Sequence, residues 1–182
     1  MGIVVVFGSS TTELGTDQYQ NAFRLGSLLA TASWAVATGG YGGTMEAVSA
    51  GAAAVGGHVI GVTAPTVFPM RGGPNSHVRE EVRAGTISER IHLLVDMADA
   101  VVALPGSIGT VTELLVAWND NFVAQFSDRT GRLLVTVGEP LERLVGYLAT
   151  HFGADAGLVQ CVSTVDEAAA ALGTSSRTDS PQ

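Results

Sequence analysis

Apolar runs and helical stripes alternate along this chain. Residues 3–7 (IVVVF) are apolar without interruption and precede Gly-Ser-Ser, a pattern typical of a strand buried on both faces of a parallel sheet. Residues 17–32 then carry apolar side chains at helical spacing. The same reading predicts further strands at 34–37, 58–62, 99–105 and 133–137. It predicts further helices at 44–55, from 87 onward, and at 110–124, 140–151 and 165–171.

This alternation predicts a Rossmann-like α/β fold, with a doubly wound parallel sheet and right-handed crossovers. A length of 182 residues, of which 46% are hydrophobic and 14% charged, suits a single domain. We expect that domain to cover residues 1–173, because TSSRTDSPQ at 174–182 has the composition of a disordered tail. Residues 64–85 contain prolines and glycines without a clear period, which predicts a long excursion used as a lid, a binding loop or an oligomer contact.

Three loops rich in small residues follow predicted strands, at 8–10, 39–44 and 105–110. Ligands of doubly wound sheets collect outside the carboxyl ends of the strands, so we expect these loops to converge. Glycines let backbone amides approach an anion at a helix start, so two such turns favour a phosphorylated small molecule over turns that need glycine for packing alone. The predicted phosphate- or nucleotide-binding residues are Gly8, Ser9, Gly39, Gly40, Gly42, Gly43, Thr44, Met45, Gly106, Ser107, Ile108, Gly109 and Thr110.

Two charged residues stand out beside these loops. Glu113 lies three residues after Thr110, a spacing that fits either a functional carboxylate or a capping box in which the side chain reaches back to the Thr110 amide. Arg90 lies on one helical stripe with apolar residues, which places its guanidinium on or beside the buried face. A buried arginine needs a carboxylate or phosphate partner. The alternative is a snorkelling arginine whose stem packs on the core.

Composition excludes several classes of function. All nine basic residues are arginines, so Schiff-base chemistry and a P-loop lysine are excluded. The net charge of −8 argues against nucleic acid as a partner. The four histidines lack metal-ligand spacing and the serines lie outside a nucleophile elbow, so we expect no metal, no cofactor and no serine hydrolase. MGIVVVFGSS lacks the basic region of a signal peptide and no apolar stretch reaches roughly 18 residues, so we expect a cytoplasmic protein without a membrane partner.

Three segments together resemble the Lonely Guy (LOG) family: VFGSS, GGYGGTMEAVSAGA and SERIHLLVDMADAVVALPGSIGTVTELL. The family pattern is a GGGxxGxM loop, then an arginine in a short helix, then PGGxGTxxE. The resemblance implies a nucleoside 5′-monophosphate phosphoribohydrolase that releases a cytokinin-type base and ribose 5-phosphate from AMP or an N6-modified AMP. It also implies a homodimer that binds a small-molecule nucleotide and works without metal. By position, Arg90 and Glu113 match the family's catalytic arginine and glutamate.

Some positions depart from this pattern. Ser107 replaces the second glycine of PGG, Ile91 stands where many members carry lysine, and Glu46 stands where glycine is common. These changes affect the cytokinin assignment more than the nucleotide-hydrolase class, and they leave the preferred base open. The alternative function is a non-catalytic nucleotide or molybdenum-cofactor carrier of similar fold. The presence of both Arg90 and Glu113 favours the enzyme.

Overall fold

The protein, described here from a computed structural model covering residues 1–175, is built on a seven-stranded sheet in which neighbouring strands are parallel. The strands are β1 (Ile3–Phe7), β2 (Ala35–Thr38), β3 (Val59–Thr63), β4 (Glu80–Arg83), β5 (Ala100–Ala103), β6 (Leu133–Val137) and β7 (Gln160–Val162). The α-helices of this part of the chain are α1 (Asp17–Thr31), α2 (Thr44–Ala54), α3 (Ile87–Met97), α4 (Ile108–Ala124), α5 (Glu139–Phe152) and α6 (Val165–Ser175). Two 3₁₀-helices cover Pro69–Arg71 and Ala156–Leu158.

The strand order is β4-β3-β2-β1-β5-β6-β7, which confirms the predicted doubly wound sheet. The chain first builds outward from β1 to β4 and then returns to place β5 on the other side of β1, where Val4 pairs with Ala100. The strand order therefore reverses between β1 and β5. In such sheets this point forms a crevice at the carboxyl ends of the strands.

The central strands are buried on both faces, as their apolar runs predicted. Val4 and Val6 pack against α1, α2 and α6 through residues such as Leu25, while Val5 packs on the opposite face with Leu94 of α3. Successive strand side chains point to opposite faces, so one five-residue run supplies both cores. This double anchoring fixes the carboxyl ends of β1, β2 and β5, which carry the three loops.

The predicted helices and strands are confirmed with ends shifted by at most two residues, except that α6 extends to Ser175. The remainder of the predicted tail at 174–182 lies outside the described residues. The prediction of an irregular excursion at 64–85 is wrong in part, because it contains a 3₁₀-helix and β4, and β7 was not predicted. Both missed strands are short, partly exposed edge strands, so neither shows a continuous apolar run. None of the described helices has the length and apolar character needed to cross a bilayer.

Candidate active site

The three glycine-containing loops meet at the carboxyl ends of β1, β2 and β5, as the sequence predicted. The Thr44 amide donates to the Ser9 carbonyl at 2.8 Å, which ties the second loop to the first. A Cβ added to Gly106 would lie 2.9 Å from the Ser9 nitrogen, which places the third loop against the first as well. A Cβ at Gly8 would overlap the Thr44 side chain, so this close approach requires glycine. The role of these residues in phosphate binding stays a prediction.

The third loop, at 105–110, is open to solvent. Gly106, Ser107, Ile108 and Gly109 are exposed, and they lead into the 17-residue helix α4. Ser107 occupies the N-cap position but its side chain caps no amide, so the first amides of α4 lack a side-chain partner. The hydroxyl of Thr110 is buried and has no hydrogen-bond partner within the described part of the chain. This loop therefore offers unused donors at the positive end of a helix, the arrangement that binds phosphate.

The second loop, at 39–44, is more enclosed and is braced by the excursion. Gly39, Gly40 and Tyr41 are buried, and Gly40 and Gly43 have positive φ angles of 76° and 72°. The Asn75 side-chain amide donates to the carbonyls of Gly40 and Tyr41 at 3.2 and 3.0 Å. Thr44 and Met45 are buried in the first turn of α2. The loop therefore has a fixed shape before any ligand binds.

Arg90 is buried, with 7% of the residue exposed, and its guanidinium is held at three points. Nε donates to the Val62 carbonyl at 2.8 Å, Nη1 donates to Glu113 Oε1 at 3.1 Å, and Nη2 lies 3.8 Å from Met45 Sδ. The predicted partner carboxylate is thus present, and the snorkelling alternative is wrong. Burial lowers the pKa of Arg90, while the neighbouring Glu113 acts in the opposite direction.

Glu113 faces Arg90 and does not cap its own helix. Because α4 begins at Ile108, Glu113 lies in the second turn, too far along to reach back to the Thr110 amide, so the capping-box alternative is wrong. Its side chain is 13% exposed. Burial raises the pKa of the Glu113 carboxyl, and the charge and hydrogen bond of Arg90 oppose that rise. The result is a sheltered, basic carboxylate beside the loop at 105–110.

Sequence reasoning missed three residues that shape this edge of the sheet, namely Tyr41, Arg71 and Asn75. The Tyr41 hydroxyl accepts from the Ala64 amide at 2.8 Å, and its ring makes an edge contact with Phe68. Arg71 lies over both rings, 5.0 Å from the centroid of Tyr41 and 4.5 Å from that of Phe68. Tyr41 could have been identified from the sequence, because it is an aromatic residue between two pairs of glycines in a predicted binding loop. The excursion has no periodicity, so nothing in the sequence marked Arg71 or Asn75.

The profile of the SLOG cluster4 family matches residues 1–137. This chain belongs to the SLOG cluster4 family. Over 103 residues it is 33% identical to the cytokinin riboside 5′-monophosphate phosphoribohydrolase of Mycobacterium tuberculosis, a match that covers 56% of this chain and 54% of that protein. Over 122 residues it is 31% identical to the pyrimidine/purine nucleotide 5′-monophosphate nucleosidase of Escherichia coli, covering 62% of this chain and 26% of that protein. The similarity to phosphoribohydrolases that the motifs predicted is confirmed.

The SLOG cluster4 chain spans about half the length of the mycobacterial relative and about a quarter of the E. coli relative. Among solved structures, the molybdenum cofactor carrier protein of Chlamydomonas reinhardtii superposes with a TM-score of 0.75 and 26% identity. That match covers 96% of this chain and 98% of the carrier. The fold is therefore shared with a carrier over its full length, while the sequence match to the two enzymes is partial.

The site of this SLOG cluster4 protein combines three chemical features at one edge of the sheet. A helix start with unused donors suits an anion, a buried carboxylate of raised pKa suits proton transfer or cation stabilisation, and a buried guanidinium holds that carboxylate. Within residues 1–175, no three histidine, cysteine or acidic side chains come together in a way that could hold a metal ion. The arrangement fits a phosphorylated ligand with a bond that breaks to leave positive charge.

Proposed function

We propose that this chain hydrolyses the N-glycosidic bond of a nucleoside 5′-monophosphate, AMP or an N6-modified AMP of the cytokinin-activating type, and releases the free base and ribose 5-phosphate. The observation that carries the proposal is the buried ion pair of Arg90 and Glu113, joined at 3.1 Å beside the exposed start of α4. The names of the two curated enzymes support the same class of reaction.

Glu113 provides the chemistry of bond cleavage in this proposal. Cleavage at the anomeric carbon C1′ passes through a state that resembles an oxocarbenium ion, which a nearby carboxylate stabilises. A water molecule forms the new bond to C1′ and gives its proton to Glu113, while the electron pair of the C1′–N bond leaves with the base, which takes up a proton in turn. Burial raises the pKa of Glu113, which makes it a stronger base than an exposed carboxylate.

The phosphate is assigned to the loop at 105–110, where Ser107 and Thr110 add hydroxyl groups to the amides of Gly106 and Gly109. Glu113 follows Thr110 by about one helical turn, a rise of about 5 Å. That separation suits a ribose 5-phosphate whose phosphate lies on the loop and whose C1′ faces the carboxylate. Binding the phosphate thereby orients the bond that breaks.

Arg90 acts as a positioning residue in this mechanism. Its Nε and Nη1 are already engaged by the Val62 carbonyl and by Glu113, and Nη2 faces Met45. The guanidinium therefore orients Glu113 and favours its ionised form, which opposes the rise in pKa that burial causes. These contacts support a role of Arg90 in holding Glu113, and the proposal therefore leaves the phosphate to the loops.

A carrier of nucleotide or molybdenum cofactor is the second candidate function. It is favoured by the superposition on the Chlamydomonas reinhardtii carrier, which covers nearly all of both chains. A carrier would use the same anion-binding loops but would not need a carboxylate of raised pKa beside them. The Arg90–Glu113 pair therefore distinguishes the two candidates.

The proposal includes a homodimer and a cytoplasmic location. The dimer is supported by exposed apolar side chains on α4, in the turn after it and on α5, among them Phe122, Phe126 and Phe152, which are 41%, 75% and 72% exposed. Exposed apolar patches of this kind mark association surfaces. The cytoplasmic location remains a prediction from the sequence.

The deciding experiment separates base release from binding. The protein is incubated with AMP, other nucleoside monophosphates and N6-isopentenyl-AMP, and free base and ribose 5-phosphate are measured by chromatography. We expect equimolar products, and we expect Glu113→Gln to reduce kcat about 10²- to 10⁴-fold, the usual contribution of a general base. Glu142→Gln, an exposed position on α5, is the matched control and should match the wild type. Nucleotide binding without base release would instead establish the carrier.

A further inference from the structure

A polar cleft of about 430 Å³ lies beside the loop at 39–44. Its walls include Ser10, Tyr41, Glu46, Arg71 and Asn75. Tyr41 connects the cleft to the proposed catalytic pair, because its ring centroid is 5.0 Å from the guanidinium carbon of Arg71 and 5.8 Å from that of Arg90. The cleft therefore begins one side chain away from Arg90.

Arg71 is held in a defined orientation without being neutralised. Its guanidinium lies over the rings of Tyr41 and Phe68, and Nη2 contacts Ser10 Oγ at 3.4 Å. Among residues 1–175, the arginines without a carboxylate within 4 Å are Arg71 and Arg79. The backbone amide of Arg79 donates to the carbonyl of Val59, which is the first residue of β3. Arg79 therefore lies near the amino ends of the strands, whereas the glycine loops lie at their carboxyl ends. Arg71 is thus the unpaired guanidinium at the ligand-binding edge of the described chain.

Glu46 supplies an unpaired negative charge to the same cleft. It lies in the first turn of α2, and no arginine or histidine of residues 1–175 comes within 4 Å of its carboxylate. The other polar side chains on the wall already have hydrogen-bond partners: the Asn75 amide donates to the carbonyls of Gly40 and Tyr41, and the hydroxyls of Ser10, Thr11 and Tyr41 are bonded to Arg71, Ser9 and the Ala64 amide. The cleft therefore presents one carboxylate, Glu46, and one guanidinium, Arg71, and neither forms an ion pair within the described residues.

This combination fits a nucleobase better than a phosphate. A phosphate dianion in the cleft would face the carboxylate of Glu46, and the repulsion would offset the attraction of Arg71. A neutral base with both donors and acceptors satisfies both groups, because an exocyclic amino group donates to a carboxylate and a ring nitrogen accepts from a guanidinium.

We propose that this cleft is the nucleobase subsite, and that Glu46 and Arg71 select a base that carries an exocyclic amino group next to a ring nitrogen, as adenine does. The inference rests on the proposed function, which assigns the phosphate to the loop at 105–110 and the C1′ carbon to Glu113. The base then extends from C1′ past Tyr41 into the cleft. Glu46 occupies a position where glycine is common in the Lonely Guy pattern, so the selection is a property of this chain.

Calorimetric binding of three ligands tests the proposal without relying on turnover. The ligands are AMP, purine riboside 5′-monophosphate, which lacks the amino group, and ribose 5-phosphate, which lacks the base. We expect the wild type to bind AMP about tenfold more tightly than purine riboside 5′-monophosphate, and Glu46→Ala to bring that ratio close to one. The ratio is insensitive to a general change in charge, because both nucleotides carry the same phosphate.

Arg71→Gln should raise the Kd of both nucleotides about tenfold or more and leave the Kd of ribose 5-phosphate unchanged. Arg79→Gln, the other unpaired arginine of the described chain, is the matched control and should change none of the three. Arg71→Lys, which keeps the charge but loses the planar stack, should fall between the wild type and Arg71→Gln. Thermal unfolding of each variant shows whether it remains folded at the temperature of the titration.

Three results would overturn the subsite. If Arg71→Gln weakens ribose 5-phosphate as much as AMP, Arg71 contacts the phosphate. If Glu46→Ala tightens all three ligands equally, Glu46 acts only as a repelling charge. If the wild type binds AMP no better than ribose 5-phosphate, the cleft does not hold the base. Should the binding pattern appear as expected while no nucleotide is cleaved, the subsite stands and the proposed hydrolysis fails.

Discussion

Arg90 and Glu113 lie on different helices, 23 positions apart in sequence, yet Nη1 of the arginine lies 3.1 Å from Oε1 of the glutamate. The two helices, α3 and α4, flank strand β5 along the chain, and β5 pairs directly with β1 at the point where the strand order reverses. The fold therefore brings the pair together at the edge where the glycine loops meet. Replacing one partner of a buried ion pair leaves the other charge buried without compensation, which is costly in free energy. Substitutions of Arg90 and of Glu113 should therefore have separate, measurable effects.

Removing Arg90 should shift the pH dependence of catalysis. Burial raises the pKa of the Glu113 carboxyl, and Arg90 opposes that rise. In Arg90→Met only the effect of burial remains, so the pKa of the carboxyl should rise further. A smaller fraction of Glu113 is then ionised at neutral pH, and the acidic limb of the kcat/KM profile should move to higher pH. Arg143→Met, at an exposed i,i+4 pair on α5, is the control and should leave the limb in place. An unmoved limb in Arg90→Met would show that Glu113 is not the titrating base.

Gly39→Ala should reduce activity through Arg90 while leaving the rest of the chain folded. A Cβ at Gly39 would overlap Arg90 Nη2 and lie 2.7 Å from Met45 Sδ, so the guanidinium would have to move away from Glu113. We expect kcat/KM to fall at least about tenfold, because misplacement by about 1 Å can cost as much as 10²-fold in rate. Gly146→Ala, in the exposed part of α5 with no heavy atom within 4 Å of the added Cβ, should retain full activity. Equal activity of both variants would contradict the positioning role of Arg90.

The central fold and the burial of Arg90 could be predicted from the sequence because both depend on local patterns. A strand buried on both faces needs an uninterrupted apolar run, and IVVVF at 3–7 is such a run. Arg90 was identifiable because it interrupts an apolar helical stripe, which a buried guanidinium does only with a partner. The role of Glu113 stayed open between capping and pairing, since a shift of two residues in the start of α4 decides between them.

The excursion at 64–85 could not be predicted in the same way. Its edge strand, EEVR at 80–83, is partly exposed and pairs on one side, so its residues are polar and show no apolar run. Arg71 contacts Tyr41, 30 positions earlier in the chain, and Asn75 bonds to Gly40, 35 positions earlier. Contacts at that separation leave no periodic signal, so only the fold reveals that the excursion braces the second loop.

Asp120 should contribute stability that disappears in acid. Hydrogen bonds from Arg129, assisted by Arg132, lower the pKa of Asp120 below 3.8, so its contribution is present above that value and is lost as the pH falls through the folded-state pKa. Asp120→Asn should therefore reduce the free energy of unfolding at pH 7 by about 1 kcal/mol, the upper range for partly exposed pairs. Urea unfolding at pH 7, 5, 4 and 3 measures the difference from the wild type, which should narrow at the lowest pH. Asp128→Asn, at an exposed position nearby, is the control. A difference that stays constant with pH would contradict the ion-pair origin.

The proposed dimer should form through the apolar face of α4 and α5. Leu115, Phe122 and Phe152 line a groove of about 420 Å³ between these helices, and each is at least 38% exposed. Covering them would remove apolar surface from water, which is the main source of association energy. Light scattering should therefore give twice the chain mass of 18.6 kDa for the wild type.

The double variant Phe122→Glu and Phe152→Glu should be monomeric, because two like charges on each copy would face one another across the interface. Leu14→Glu, which is 80% exposed in the wild type and follows β1 on another part of the surface, should remain dimeric. A wild-type mass of 18.6 kDa would remove the dimer from the proposal, and a double variant that stays dimeric would place the interface elsewhere. Neither result would alter the prediction for Glu113, because the Arg90–Glu113 pair is formed within one chain.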